Sequence, residues 1–320
     1  MPQARVRRRV AIGAAGILLA LLLLTLAAVA LWRHGFARSE PDGRLAAWAN
    51  RRPDRLKIEW QAVRSPWPGR VELDGLRVAG RSRKLVWEVT AERASGWLSP
   101  WALLRREVRW DGVAARGVSV RVAHTGPVPA RRRQPVTTAM PRIEDFPQPP
   151  VPRPAGGRKR WGFALRHLEF AELREVWIDD RRFTGSARGH GGFAIRNADG
   201  RAEVFASNVS FSAGRLLAGG VAVAEGLAGD GRLRIEPWPY RGTPAAAVAA
   251  RAVGRLDLTG DLDVDALLAY LFGDWPGLEL ESGPSRVEAH LATRRGSLRP
   301  GSSLRLVTPR QEVRFLGFEA

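Results

Sequence analysis

The hydrophobic positions of this chain change their spacing three times. Val10 to Trp32 is an unbroken run of 23 residues without a charge, preceded by Arg5, Arg7, Arg8 and Arg9. At 1.5 Å per residue this run predicts a helix about 34 Å long, enough to cross a bilayer core of about 30 Å. The basic flank predicts a cytoplasmic N-terminus, with everything from Arg33 onward on the other side. A cleaved signal peptide with Ala28-Val29-Ala30 as its small-residue site is the competing reading, but the apolar run is longer than a signal core. Around Gly43 to Arg52 the spacing turns helical, with Leu45, Ala46, Trp48 and Ala49 on one stripe.

From Leu56 the spacing becomes two. Leu56, Ile58 and Trp60 alternate with polar residues, as do Val71 and Leu73, Leu76 and Val78, and Leu85, Trp87, Val89 and Ala91. Such alternation predicts strands with one dry and one wet face. The phase slips at Asp74-Gly75, where the apolar set moves from odd to even positions, and Gly there points to a bulge. VELDGLRVAG (71–80) and VRWDGVAARG (108–117) match in phase, which predicts a repeated strand–bulge–strand unit; two unrelated Asp-Gly turns would give the same letters. Ser99-Pro100 predicts the start of a short helix, Trp101 to Arg106.

Residues 124–160 hold nine prolines and the run Arg131–Arg133, with little periodicity, and read as a linker. Period-two pairs resume at Phe163 and Leu165 and continue through Val313 and Phe315, broken by one helix, Ala266 to Phe272, that Asp263 or Asp265 would cap. The predicted order is a cytoplasmic tail (1–9), a transmembrane anchor (10–32), a membrane-proximal β region (33–123), the linker (124–160) and a second β-rich region (161–320). The predicted class is mostly β: an N-terminal transmembrane helix followed by a curved, largely antiparallel sheet, open as a groove or closed as a sandwich, with a few short helices. A strand pattern reaching Glu319-Ala320 predicts an open sheet edge there.

Composition narrows the chemistry. The chain has no cysteine, so disulfides, thiolate metal sites and a cysteine nucleophile are excluded. Its net charge of +19 invites a nucleic-acid reading. The excess is concentrated in the N-terminal tail and in 130–160 and is otherwise dilute, with no dense basic helix or aromatic–basic alternation to grip phosphates. Lys57, Lys84 and Lys159 are the only lysines, and this near-exclusive use of arginine looks compositional. Attraction to anionic lipid head groups is the more modest consequence.

Few groups look reactive. Gly189-His190-Gly191 followed by Ala194 fits a dinucleotide turn in letters, but Phe193 to Arg196 read as strand where a helix is required, so a flexible hairpin is the better account. His34, His124, His167, His190 and His290 are scattered, with no partner at metal-ligand spacing. Asp179-Asp180 before Arg181-Arg182 reads as a charged turn. Trp60, Trp87 and Trp110 sit at alternating strand positions, where core or groove lining is expected.

Gly69-Arg70-Val71-Glu72-Leu73-Asp74-Gly75-Leu76 after a tail and one helix resembles the start of the AsmA-like envelope proteins. Leu103-Leu104-Arg105-Arg106 leading to Val108-Arg109-Trp110-Asp111-Gly112-Val113 is similar to the strand, short helix and strand that recur in that family. Gly296-Ser297-Leu298 and Pro300-Gly301-Ser302-Ser303-Leu304 also resemble segments of the group. The resemblance implies a long curved β-sheet forming a hydrophobic groove, akin to bridge-like lipid-transfer proteins. It also implies a role in moving phospholipid toward an outer membrane or keeping that membrane in order.

The expectation is therefore a non-enzymatic protein of the bacterial inner membrane, single-pass, with the bulk of the chain periplasmic. Membrane phospholipid and other envelope proteins are its expected partners, with no nucleic acid, metal or cofactor. The expected working surface is the dry face: Leu73, Leu76, Val78, Trp87, Val89, Trp110, Val118 and Val120. An ordinary closed core would use the same residues, and an anchored β-sandwich that recognises a protein or glycan is the alternative.

Overall fold

The alternation from Leu56 onward becomes strands of up to 19 residues in a computed structural model. The structure describes residues 46, 47, 50, 56–81, 85–125, 140, 141, 143, 161–196, 199–239, 242–272, 278–309, 311–315, 318 and 319. The elements are β1 (Leu56–Glu59), β2 (Ala62–Arg64), β3 (Arg70–Arg81), β4 (Leu85–Leu98), α1 (Pro100–Leu104), β5 (Glu107–His124), β6 (Gly162–Ile178), β7 (Arg181–Arg196), β8 (Arg201–Ala218) and β9 (Val221–Pro239). They continue as α2 (Ala245–Ala249), β10 (Ala252–Leu262), α3 (Val264–Phe272), β11 (Leu278–Ser282), β12 (Ser285–Arg294), β13 (Ser297–Leu298), β14 (Ser303–Val307), β15 (Gln311–Phe315) and β16 (Phe318–Glu319).

Thirteen strands form one open, curved sheet in the order β1-β3-β4-β5-β6-β7-β8-β9-β10-β12-β13, with β2 also on β3 and β14 also on β12. The strands before and after 124–160 thus belong to one sheet. A second sheet, β11-β15-β16, meets the rest chiefly through α3. The pairings are antiparallel except β5–β6, which is parallel. The sheet is thus largely antiparallel, as expected, and the connection between His124 and Gly162 is long enough to allow its one parallel pair. Ile143, within that connection, packs on Ala79 and Val86.

The phase slips are real and more numerous than the sequence suggests. Gly75, Gly117, Glu172 and Ala213 adopt φ between 50° and 62° inside continuous strands. At the first three, the apolar spacing lengthens from two to three: Leu73 to Leu76, Ala115 to Val118, Phe170 to Leu173. A residue twisted into the left-handed region turns the pleat over, so the next apolar side chain returns to the same face. The registers Asp74↔Arg93 with Leu76↔Ala91, and Thr90↔Ser119 with Arg93↔Arg116, set Gly75 opposite Glu92 and Glu92 opposite Gly117. Neighbouring strands therefore slip together and keep their pairing. Gly112 (φ 56°) and His167 (φ 50°) start a second such line, spacing Trp110 from Val113 and Leu165 from Leu168. Gly75 and Gly112 perform the same local act in β3 and β5, and the sheet aligns Gly75 with Gly117.

The wet face carries an ion-pair ladder across six strands. Lys57 pairs with Glu59 at 2.6 Å, Glu59 with Arg77 at 2.6 Å, Arg77 with Glu88 at 2.6 Å, and Glu88 with Arg121 at 3.1 Å. Arg121 reaches Glu175 at 3.1 Å across the parallel pair, and Glu175 reaches Arg182 at 2.9 Å. Arg182 also lies 5.2 Å over the ring of buried Trp177. Burial pushes the Glu175 carboxyl up, but the nearby Trp177 indole N–H, the Arg121 hydrogen bond and the charge of Arg182 together hold it below its ordinary 4.5. Its folded value is the lower one, so its stabilisation is complete above 4.5 and is lost as pH falls below that. Thermal melts across this range should show Tm falling on acidification, and less steeply in Glu175→Gln. Parallel curves for the two proteins would refute this.

Val10 to Trp32 lies outside the described residues, as does most of 124–160; among the described residues no helix is long and apolar enough to cross a membrane. The helix at Gly43 to Arg52 is described only at residues 46, 47 and 50, where Asn50 N–H donates to Ala46 O at 2.8 Å. The Asp263 carboxylate caps α3, accepting the Ala266 N–H at 2.9 Å. Gly189 to Gly192 is no hairpin: it lies inside β7.

Candidate functional site

Cross-strand register assembles the dry face. Ile58, Val78, Val89, Val120, Val176, Phe183, Leu216, Ala224 and Leu262 stand in one row from β1 to β10. Leu73, Ala94, Ala115, Phe170, Gly189, Val209, Gly231, Leu256 and Leu291 form a second, from β3 to β12. Leu98, Trp110, Leu165, Phe193, Val204 and Ile235 form a third. Side chains directly opposite one another on a sheet touch, so each row is a continuous apolar stripe.

Five of the eight sequence-nominated residues meet in one cluster. Buried Ala91, Ala94 and Val118 are packed by Leu73, Leu76, Val89 and Val120, together with Ala115, Phe170 and Leu173. Val78 stands between Ile58 and Val89 in the first row. Trp87 lies over Gly80, where a Cβ would come within 2.4 Å of its indole, and Trp110 flanks Gly96. Small residues here leave room for large neighbours, and the face is covered by its own side chains.

Farther along, the same face opens into a recess of about 750 Å³, within the roughly 300–1,000 Å³ usual for ligand clefts. Its apolar lining comes from Leu168, Phe170, Phe193, Ile195, Val204, Val209, Leu233, Trp238 and Leu256. None of the eight nominated residues lines it. The signal that could have found it is the glycine run of β7. A Cβ on Gly189 would stand 2.4 Å from Asn208 O and 2.8 Å from the Phe170 ring, and one on Gly192 would stand 2.4 Å from Leu165 O. Those glycines let the chain lie flat beneath the aromatic rings.

Reactive groups are sparse. Asp179-Asp180 forms the β6–β7 turn, as expected, and is occupied there: Asp180 accepts the Tyr270 hydroxyl at 3.0 Å. His124 Nδ1 lies 2.8 Å from Asp179, and His290 Nδ1 lies 2.9 Å from Asp257, so two of the scattered histidines do meet carboxylates in space. Burial raises the Asp179 carboxyl, but the His124 backbone N–H and ring outweigh it and hold it below the usual range. Both pairs are half exposed, and Asp257 is also held by Arg255 Nε at 2.7 Å. Among the described residues no three His, Asp or Glu side chains gather as a metal would need. The chain matches no protein-family model and no curated protein.

Proposed function

We propose that this protein handles membrane lipid through the apolar face of its open sheet, as a non-catalytic protein of the bacterial inner membrane with its β region in the periplasm. The observation that carries the reading is the recess of about 750 Å³, lined by aliphatic and aromatic side chains on a face that no second sheet covers among the described residues. Apolar surface left against water is costly, and an acyl chain relieves that cost without needing a specific polar partner. The ion-pair ladder lies on the opposite face, which leaves the apolar stripes together on this one. The likeness to AsmA-like proteins in residues 69–76 and 103–113, and the uncharged run Val10 to Trp32, support the placement in the envelope.

The full chain, extracted and purified without added lipid, should carry phospholipid detectable by mass spectrometry in near-stoichiometric amount. Lipid-free protein that also fails to take up lipid from vesicles would refute the reading and favour a protein- or glycan-recognition module.

A further inference from the structure

One end of the sheet displays aromatic side chains to solvent. Trp67, Trp97, Trp101 and Trp161 are 68%, 47%, 77% and 47% exposed, and Leu104 is 77% exposed. All lie where β3, β5 and β6 begin and β4 ends, and backbone contacts join them. The Trp97 indole approaches to 3.2 Å from where a Gly69 Cβ would stand, and Leu98 N–H donates to Gly69 O at 2.7 Å. Gly162 N–H donates to Arg106 O at 2.9 Å, which ties Trp161 to the end of α1.

Helix α1 is turned the wrong way for packing. It buries Ala102 and presents Trp101 and Leu104, three residues apart and so on one side, to water. Tryptophan combines a large apolar ring with a polar N–H, which suits the boundary between head groups and acyl chains. Arg64, Arg105 and Arg106 are exposed at the same end, with no carboxylate partner among the described residues. Unneutralised arginines among tryptophans match an anionic lipid surface. The third apolar row, through Leu98, Trp110 and Leu165, begins directly behind these rings.

We propose that this rim docks on an anionic phospholipid membrane and opens the apolar face to it. The docking stands on the rim's own exposure and charge; only what the docked rim passes on rests on the groove reading.

The chain lacks cysteine, so single labels are clean. An environment-sensitive fluorophore is placed at Leu104→Cys on the rim and, separately, at Val221→Cys, which is 52% exposed near the other end of the strands. The full chain is mixed with vesicles of equal parts phosphatidylcholine and phosphatidylglycerol that carry brominated acyl chains. Quenching should be several-fold stronger at position 104 than at 221. It should fall to the level of position 221 when Trp67→Ser and Trp101→Ser are added, and drop on phosphatidylcholine alone. Both serines replace exposed residues, and unchanged melting confirms the fold. Equal quenching at the two ends overturns the proposal, as does a rim signal indifferent to the two serines. Lipid carried by the same preparations is measured in parallel. A quenched rim on lipid-free protein sinks the groove and leaves the docking standing; lipid-loaded protein with equal quenching does the reverse.

Discussion

Glutamates at both Val204 and Val209 should strip bound lipid from the protein while leaving it folded. Both valines are half-buried and face the recess. A carboxylate there is reached by water once the acyl chain leaves, so its cost falls on the ligand more than on the fold. Val118 provides the contrast. It is 8% exposed in the cluster beneath Leu73, Leu76 and Phe170. A glutamate there is buried without a partner and costs several kcal/mol, comparable with a domain's whole stability of about 5–15 kcal/mol. Mass spectrometry of bound lipid and circular-dichroism melts separate the two cases. Val204→Glu/Val209→Glu protein that unfolds as completely as Val118→Glu would show that the recess is an ordinary closed core.

Glu88→Ala should lose about 3 kcal/mol of stability, the low end for breaking a buried ion pair. The carboxylate is 6% exposed and holds two guanidiniums, Arg77 and Arg121, each 26% exposed and so able to recover some hydration. Removing it cuts the ladder between β3 and β5 and leaves both cations facing each other across β4. Glu88→Gln should lose less, because its carbonyl still accepts one hydrogen bond. Glu225→Ala is the control: its pair with Arg215 is 60% and 54% exposed, and exposed pairs contribute about 0–1 kcal/mol. Urea denaturation of the three variants tests this. A Glu88→Ala loss no larger than that of Glu225→Ala would mean the ladder does not hold the sheet.

What was legible in the sequence was whatever depends on neighbours along one strand. Leu73, Leu76, Val89, Val118 and Val120 share a face because each strand alternates, and Asp74-Gly75 and Asp111-Gly112 betray the points where the alternation turns over. The start of α1 at Pro100 and the Asp263 cap of α3 were legible for the same local reason. Glu172 and Ala213 were not, because a positive φ at a residue with a side chain has no letter that marks it.

The sequence by itself determined a mostly β chain with one dry face, an uncharged run long enough to cross a bilayer, and no thiol chemistry. Only the tertiary structure decided that strands before and after the linker join one sheet through a parallel pair, since a long connection permits either direction. It decided that Glu88, Arg121, Glu175 and Arg182, far apart in sequence, form one ladder. It also decided where the recess lies. Apolar residues of β6 to β10 look no different in sequence from those of β3 to β5, but in β7 glycines replace the large side chains that close the face elsewhere. Whether apolar neighbours fill the space between them depends on which residues stand opposite across strands, and that register is set by the sheet as a whole.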